Sequence, residues 1–378
     1  MGAKIIPEIS AKESAKRITN LYAKDMGKLE STKTVIQPYS EEWAFAHHAS
    51  IAIFKGKIYA MWSSGRVHED DCGQRVMWSY TDGFNDWKEA MIFSDTERGE
   101  HSEKVKFAQG FCATEDKLYA YFSVGEYKPD LLEDENTRPI TKMVYAYSDP
   151  WLHFARYCCY LNDDGVTWSE PVQVAHGGGN HSAERLPNGR YMIAMGTGVK
   201  YTDHIDKDSI PEWKISNIPD ELIAKARNEG APEMCEASFF MTDDGILHML
   251  MRSGSYQLWH AESYDNGETF DEVYPTHFSD DLAKFQFGRL PDGRYYYVGN
   301  SVPDARRFPL MLAISEDGYN FTKEYAIRDE RVKINKPGLA KGGHYGYPEC
   351  VIHNGYMYII YSKMKETIEI TKLPLDQL

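Results

Sequence analysis

Along the chain, a polar turn followed by an apolar, tyrosine-rich run returns six times. It reads "GKIYAMWS" from Gly56, "DKLYAYFS" from Asp116, "GRYMIAMG" from Gly189, "GILHMLMR" from Gly245, "GRYYYVGN" from Gly293 and "GYMYIIYS" from Gly355. The starts are 60, 73, 56, 48 and 62 residues apart. Turns such as "PNG", "PDG", "DDG" and "HNG" precede the runs, so each predicts the second strand of a β-hairpin. A β-repeat of this period, at roughly four strands per unit, predicts an all-β chain folded as a single β-propeller. Six blade units are counted directly. The segment 1–42 reads as an N-terminal piece whose strand, "STKTVIQPYS", closes the ring against the last unit, and 43–378 as the propeller. The stretch from Tyr127 to Tyr160 holds more strand-like sequence than one blade needs and has room for a seventh. An insertion at about 202–233 breaks the β pattern. Within it "PDELIAKARNEG" predicts a short helix, with Pro at its start and Gly at its end. It either walls one side of a pocket or is a solvated excursion.

A second phrase follows the strands. "SYDNGETF" (Ser263 to Phe270) fits Ser-x-Asp-x-Gly-x-Thr-aromatic, "LNDDGVTW" (Leu161 to Trp168) fits except at its first place, and "SEDGYNF" and "YTDGFNDW" are looser forms. The pattern resembles the Asp-box turn of sialidase-like propellers. Its physics is local: Asp and Ser side chains accept from backbone N–H groups, and Gly takes the positive φ. Such boxes specify fold and say little about function.

Composition narrows the partners. The net charge of −15 argues against nucleic acid or a long polyanion held along a groove, while a small anion held by local arginines stays compatible. With 26 Tyr and 8 Trp the chain suits sugar stacking as well as β-structure. The six Cys lack metal spacing and read as free and mostly buried, with a disulfide still open. No 18-residue apolar stretch is found, so no membrane partner is expected. The first residues lack the apolar core of a signal peptide; the sequence as written suits the cytoplasm, and a periplasmic or secreted protein with its signal removed stays open. A monomer or weak dimer is expected.

Candidate chemistry comes from the first hairpin, "HHASIAIFKGKIYAMWSSGRVH". If Phe54 faces Lys57, His48 faces Ser63, and His68 lies within ~17 Å of Ser63 even if fully extended. Both imidazoles then sit at one end of the hairpin, which in a propeller opens onto one face of the disc. The same offset in the other units selects Ala108, His181, Ala237, Phe285 and Tyr347, beside a second layer of His47, Glu184, Glu236, His344 and Glu349. Arg156, Arg252 and Arg289 end strands nearby. An axial funnel of this kind is the usual ligand site of a propeller. His153, His248 and His353 read as structural, and Arg289 has the alternative of pairing with an acid across a blade.

"HHASIAIFKGKIYAMWSSG", "EDDCGQRVMWS", "ARYCCYLNDDGVTWSEP", "CEASFFMTDDGILHMLMR" and "FQFGRLPDGRYYYVGN" together resemble propeller enzymes that act at rhamnose–uronic acid linkages. These are the ulvan lyases, the L-rhamnose-α-1,4-D-glucuronate lyases and a related α-L-rhamnosidase family. The resemblance implies seven blades and a lyase site in which His48 and His68 are the paired histidines, Tyr121 the tyrosine and Arg156 the arginine on the uronate carboxylate. The ring of repeat positions, its second layer and the strand-end arginines give His47, His181, Arg252, Arg289, His344 and Tyr347 as expected substrate contacts, and the resemblance implies an anionic oligosaccharide or polysaccharide side chain as partner. No metal is required when arginine neutralises the carboxylate; a structural calcium or zinc ion stays open. A terminal α-L-rhamnosidase is the alternative. A sialidase ranks below it, because the early Arg-Ile-Pro phrase typical of sialidases is missing. A non-catalytic glycan-binding propeller is the alternative of another class.

Overall fold

The computed structural model describes residues 17–20, 26–83, 86–132 and 149–378. Six four-stranded antiparallel blades follow one another along the chain, blades 4 and 5 being joined into one ten-stranded sheet by Thr19–Asn20, which pairs parallel with the outer strand of each, and this makes the protein an all-β propeller. Blade 1 comprises Phe45–Phe54, Lys57–Gly65, Arg75–Thr81 and Met91–Ser94, and blade 2 Val105–Ala113, Leu118–Tyr127, Trp151–Tyr160 and Val172–Val174. Blade 3 comprises Glu184–Arg185, Tyr191–Ala194, Gly198–Thr202 and Lys214–Asn217, and blade 4 Cys235–Met241, Leu247–Arg252, Gln257–Ser263 and Val273–Ser279. Blade 5 comprises Gln286–Arg289, Tyr295–Gly299, Leu310–Ser315 and Asn320–Arg328. Blade 6 takes Tyr345–His353, Tyr356–Lys363 and Thr367–Pro374 from the C-terminal end and its outermost strand, Thr32–Gln37, from the other. That pairing is the predicted ring closure. The first strands of blades 1 and 2, of blades 4 and 5, of blades 5 and 6, and of blades 6 and 1 lie side by side around the axis.

Six blades among the described residues match the six units counted from the repeat. The stretch proposed for a seventh holds adjacent strands of blade 2 instead, with Tyr127 paired to Trp151; its residues 133–148 lie outside the described ones. Of the insertion, residues Ile210, Pro211, Glu212 and Trp213 wall one side of a cavity of about 430 Å³ opposite Val172 to His176, the first of the two readings weighed for it, although not at the axis. Lys214–Asn217 supplies the outer strand of blade 3, and the predicted helix, Asp220–Asn228, buries Ile223 and Ala226 against Trp259, Phe270 and Val273. Neither lines the axial pocket described below.

Alternation puts both faces of a middle strand into core. In Leu118–Tyr127, Leu118, Ala120 and Phe122 pack toward blade 1, whereas Tyr119 and Tyr121 pack with Cys112, Cys158 and Ile193. The Asp-box physics is present too. Asp265 Oδ1 accepts from the N–H groups of Glu268 (3.0 Å) and Thr269 (2.9 Å), and Asp317 Oδ1 from Tyr319 and Asn320 (both 2.8 Å). Gly267 has φ +84°, and a Cβ there would come 2.5 Å from Met192 Cε in the neighbouring blade. All six cysteines are free, and five are buried.

Candidate functional site

The first strands of blades 1, 4 and 6 share a defect. The register slips between His47 and Ser50, between Cys235 and Ser238, and between Gly346 and Glu349, so two residues oppose one on the partner strand. In each, the first extra residue is left-handed: His48 at φ 54°, Glu236 at 49° and Tyr347 at 55°. A non-glycine residue held there costs about 1–3 kcal/mol, and β-bulges of this kind re-aim side chains. All three side chains turn into one axial cavity of about 310 Å³. Its other lining residues are Ser50, Phe107, Ala108, Gln109, Trp151, Phe154, Gly179, Asn180 and Lys284.

The bulge explains the histidine pair. Neighbours in a regular strand point to opposite faces. Left-handed backbone at His48 instead brings the His47 and His48 rings to 4.7 Å, and Glu69 Oε1 lies 3.8 and 3.6 Å from their Nε2 atoms. His47 is fully buried with its Nδ1 2.7 Å from Ser362 Oγ, and His48 Nδ1 is 3.2 Å from Ser63 Oγ. Burial, then the charges of Lys365, His48, Arg307 and Lys284, hold His47 well below the ordinary imidazole range, so it is neutral. Burial works to raise the Glu69 carboxyl, but Lys365, 2.6 Å away, and His48 outweigh it, so Glu69 is ionised.

Across the cavity, the Tyr347 hydroxyl donates to Glu236, and Arg252 donates to the other Glu236 oxygen. Burial and the Glu236 charge lift the Tyr347 phenol far above its usual range, so it keeps its proton. Burial alone would raise Glu236 as well; Arg252, the Tyr347 hydroxyl and Arg307 reverse this and keep it ionised. The Tyr347 and His48 rings are 5.8 Å apart. The Arg307 guanidinium lies 5.3 Å from the Tyr347 ring centroid, with Nη2 donating to Leu282 O at 3.1 Å and Nη1 buried without a partner. Among the described residues no carboxylate lies within ion-pair distance of it. Under the cavity, Glu349 accepts from Ile51 N, Ser182 N and Lys284 Nζ, pinning blades 1, 5 and 6 and the chain entering blade 3 together.

His47 Nε2, His48 Nε2 and Glu69 Oε1 lie within 4.8 Å of one another, a donor set that could ligate a metal ion. The field opposes a cation there. Lys365 is bound to Glu69, and Arg307 and Lys284 act on the same spot. The arrangement is better suited to an anion.

Several expected site residues lie elsewhere. Tyr121 is fully buried between blades 2 and 3, where its oxygen accepts from Trp213 Nε1 at 3.1 Å, because its strand faces core on both sides. His68 is outside the cavity lining and accepts from Leu339 N–H at 2.8 Å. Arg156 is not a lining residue either; its guanidinium lies 5.0 Å from the Phe154 ring centroid. Arg289 pairs with Asp243 and donates to Gly293 O at 3.1 Å, on the hairpin side, which is the structural alternative weighed for it. His344 is buried with its Nδ1 accepting from Val332 N–H at 3.0 Å, and His181 is buried 3.7 Å from Glu349. The expected ring positions Ala237 and Phe285 are core, and the cavity takes Glu236 and Lys284, each one residue earlier. Lys284, Glu69, Arg307 and Trp151 were not singled out by the sequence; adjacency to a ring position or to His68 was the only available signal for Lys284 and Glu69.

A family model described as a BNR repeat-like domain matches residues 56–359. No curated protein matches the sequence. Among solved structures, a sialidase superposes with a TM-score of 0.66 at 16% identity, over 95% of this chain and 35% of its own, so this chain spans about a third of it. A protein of unknown function from Dyadobacter fermentans matches with a TM-score of 0.63 at 16% identity, over 92% of this chain and 99% of its own. The intramolecular trans-sialidase from Ruminococcus gnavus, in complex with oseltamivir carboxylate, matches with a TM-score of 0.65 at 13% identity, over 92% of this chain and 98% of its own. At these identities the likeness is one of fold.

Proposed function

The chain belongs to the BNR repeat-like domain family, and from that premise we propose that it is a carbohydrate-active enzyme that cleaves a glycosidic bond beside a carboxylate-bearing sugar. The observation that carries this reading is the convergence of His48, Glu236 and Tyr347 on one cavity, with Arg252 bound to Glu236 and Arg307 against the Tyr347 ring. Two guanidiniums, one of them without a carboxylate partner, suit an anionic sugar. The sialidase neighbours, whose named activity also concerns a carboxylated sugar, are compatible with it.

The finer reading is β-elimination at an L-rhamnosyl-α-1,4-D-glucuronate linkage. Arg252 and Arg307 hold the uronate carboxylate and stabilise the enolate-like anion as charge builds. His48 takes the C5 proton, and the C5–H electron pair forms the C4=C5 double bond. The C4–O bond breaks with its electrons on the leaving oxygen, which Tyr347 protonates. A metal is not needed for this balance. Hydrolysis is the second reading, favoured by the Tyr347–Glu236 hydrogen bond: ionised Glu236 takes the phenol proton as the phenol oxygen attacks the anomeric carbon, the glycosidic C–O bond breaks with its electrons on the leaving oxygen, which takes a proton from solvent, and water then displaces the sugar from the tyrosine and restores the phenol.

Incubation with rhamnosyl-glucuronate oligosaccharides decides between them. Elimination creates a 4,5-unsaturated uronate absorbing near about 230–235 nm, which hydrolysis does not. Release of sugar without that absorbance selects hydrolysis. Binding without turnover of any carboxylated glycan would leave a glycan-binding propeller and end the enzymatic reading.

A further inference from the structure

The cavity has two unlike walls. His48, Glu236, Lys284 and Tyr347 make one of them. The other is aromatic and belongs to blade 2: Phe107 from its first strand, and Trp151 and Phe154 from the start of its third. The Trp151 ring centroid lies 5.7 Å from that of Phe107 and 5.4 Å from that of Phe154. This wall is built and held. Trp151 stacks on Tyr127 at 4.5 Å and 19°, and the Tyr127 hydroxyl donates to Asp70 O at 2.8 Å. Gly125 leaves the room for it, since a Cβ there would stand 2.6 Å from the Trp151 ring and 3.1 Å from Phe154. Phe154 nevertheless stays 36% exposed. Between the walls lie two neutral amides, Gln109 and Asn180, each with one polar atom lacking a partner in the protein.

From this we infer a second sugar subsite. The aromatic wall takes the apolar C–H face of a neutral sugar ring, and the amides take its hydroxyls, while the charged wall holds the adjoining acidic sugar. The inference rests on the glycan reading above and adds which wall recognises which ring. The physical reasons are general. A rigid aromatic surface in a concave site binds with little loss of side-chain freedom. Among the described residues, blade 2 contributes no Lys, Arg, Asp or Glu to the lining, and what it offers there is aromatic rings and a neutral amide.

The test is binding of two separate probes, glucuronate and methyl α-L-rhamnopyranoside, to the full chain by saturation-transfer NMR and calorimetry. Phe154→Ala and Trp151→Ala should each weaken the neutral glycoside by about tenfold and leave glucuronate within about twofold. Arg307→Ala should do the reverse. Phe154, being partly exposed, keeps the test usable if Trp151→Ala does not fold, and Trp151→Phe should restore part of the affinity. Unchanged glycoside affinity in the two alanine variants overturns the inference. So does wild-type binding of glucuronate alone, which leaves the glycan reading standing. Binding of neither probe removes the glycan reading and this inference with it.

Discussion

Among the described residues there are two groups of two histidines and one glutamate, and in each the candidate donor atoms lie within 4.8 Å of one another. In blade 4, His248 and His260 sit on neighbouring strands in regular register. Every ring nitrogen there has a partner: Thr242 Oγ1 at 3.0 Å from His248 Nε2, His260 Nε2 at 3.0 Å from His248 Nδ1, and Tyr274 OH at 2.7 Å from His260 Nδ1. Tyr274 passes its own proton toward Glu262 at 3.1 Å. The group is closed. At the axial cavity, His47 and His48 are neighbours in sequence, face the same way only because His48 is left-handed, and leave His47 Nε2 without a hydrogen bond. The same side chains thus make a structural tie where the backbone is relaxed and an open, strained site where it is bulged. Backbone conformation, and not residue inventory, separates them.

The largest effect should come from His48. His48→Ala is expected to lower kcat by about 10²–10⁴ with the melting temperature little changed. His48→Gly should lose the same turnover yet melt no lower than the wild type, because glycine takes φ 54° without strain. A variant that keeps its rate but melts early would make the two groups alike and break the comparison.

His248→Ala should show the opposite pattern. It removes a fully bonded buried group, so about 1–3 kcal/mol of stability should go in denaturant titration while kcat on any accepted substrate stays near wild type. The pH dependence sharpens this. Burial depresses His248 to about 4, below its ordinary 6.5. Between those values the unfolded chain binds a proton that the folded chain refuses, so the wild type loses stability as pH falls from about 6.5 to about 4. The stability gap between wild type and His248→Ala should narrow over that window. A gap that widens on acidification would mean the histidine is charged in the fold.

In rate, Glu69→Gln should act between these extremes. It keeps the shape but removes the charge beside Lys365 and both axial imidazoles, so a loss of about tenfold in kcat is expected together with about 3–5 kcal/mol of stability, because Lys365 is left buried without its carboxylate. The smallest effect is expected at His68. It lies outside the cavity lining and accepts from Leu339 N–H, so His68→Ala should cost about 1 kcal/mol through that bond and change kcat less than threefold. A loss matching that of His48→Ala would return His68 to the reacting site, where the resemblance to the lyases places it.

The propeller was legible because its signals are local. A turn glycine, an alternating run and an Asp-box each report on ten residues or fewer, and they repeat. Thr32–Gln37 and the helix Asp220–Asn228 were readable for the same reason. The cavity was only half legible. Counting back from each turn assumes an unbroken pleat, and the bulges at His48, Glu236 and Tyr347 break it. The count still reached His48 and Tyr347 but gave Ala237 for Glu236. Arg307 enters from the loop before Leu310–Ser315, where no periodicity exists to place it. Tyr121 and Arg156 were drawn from strands of blade 2, and no pattern within a strand tells its axial end from its interior.

Ring closure has a consequence for the order of events during synthesis. The outer strand of the last blade, Thr32–Gln37, leaves the ribosome before the other strands of the blades, and the strand it must join, Thr367–Pro374, after them. Through most of translation the molecule is therefore an open arc. Its early strand has an unpaired edge, and so does every newest blade in turn. Joining ends some 330 residues apart is a late, entropically costly event. Until it happens, the cavity residues of blade 1 and of blade 6 have not met, so His48 and Tyr347 acquire one another only when the last strand is in place.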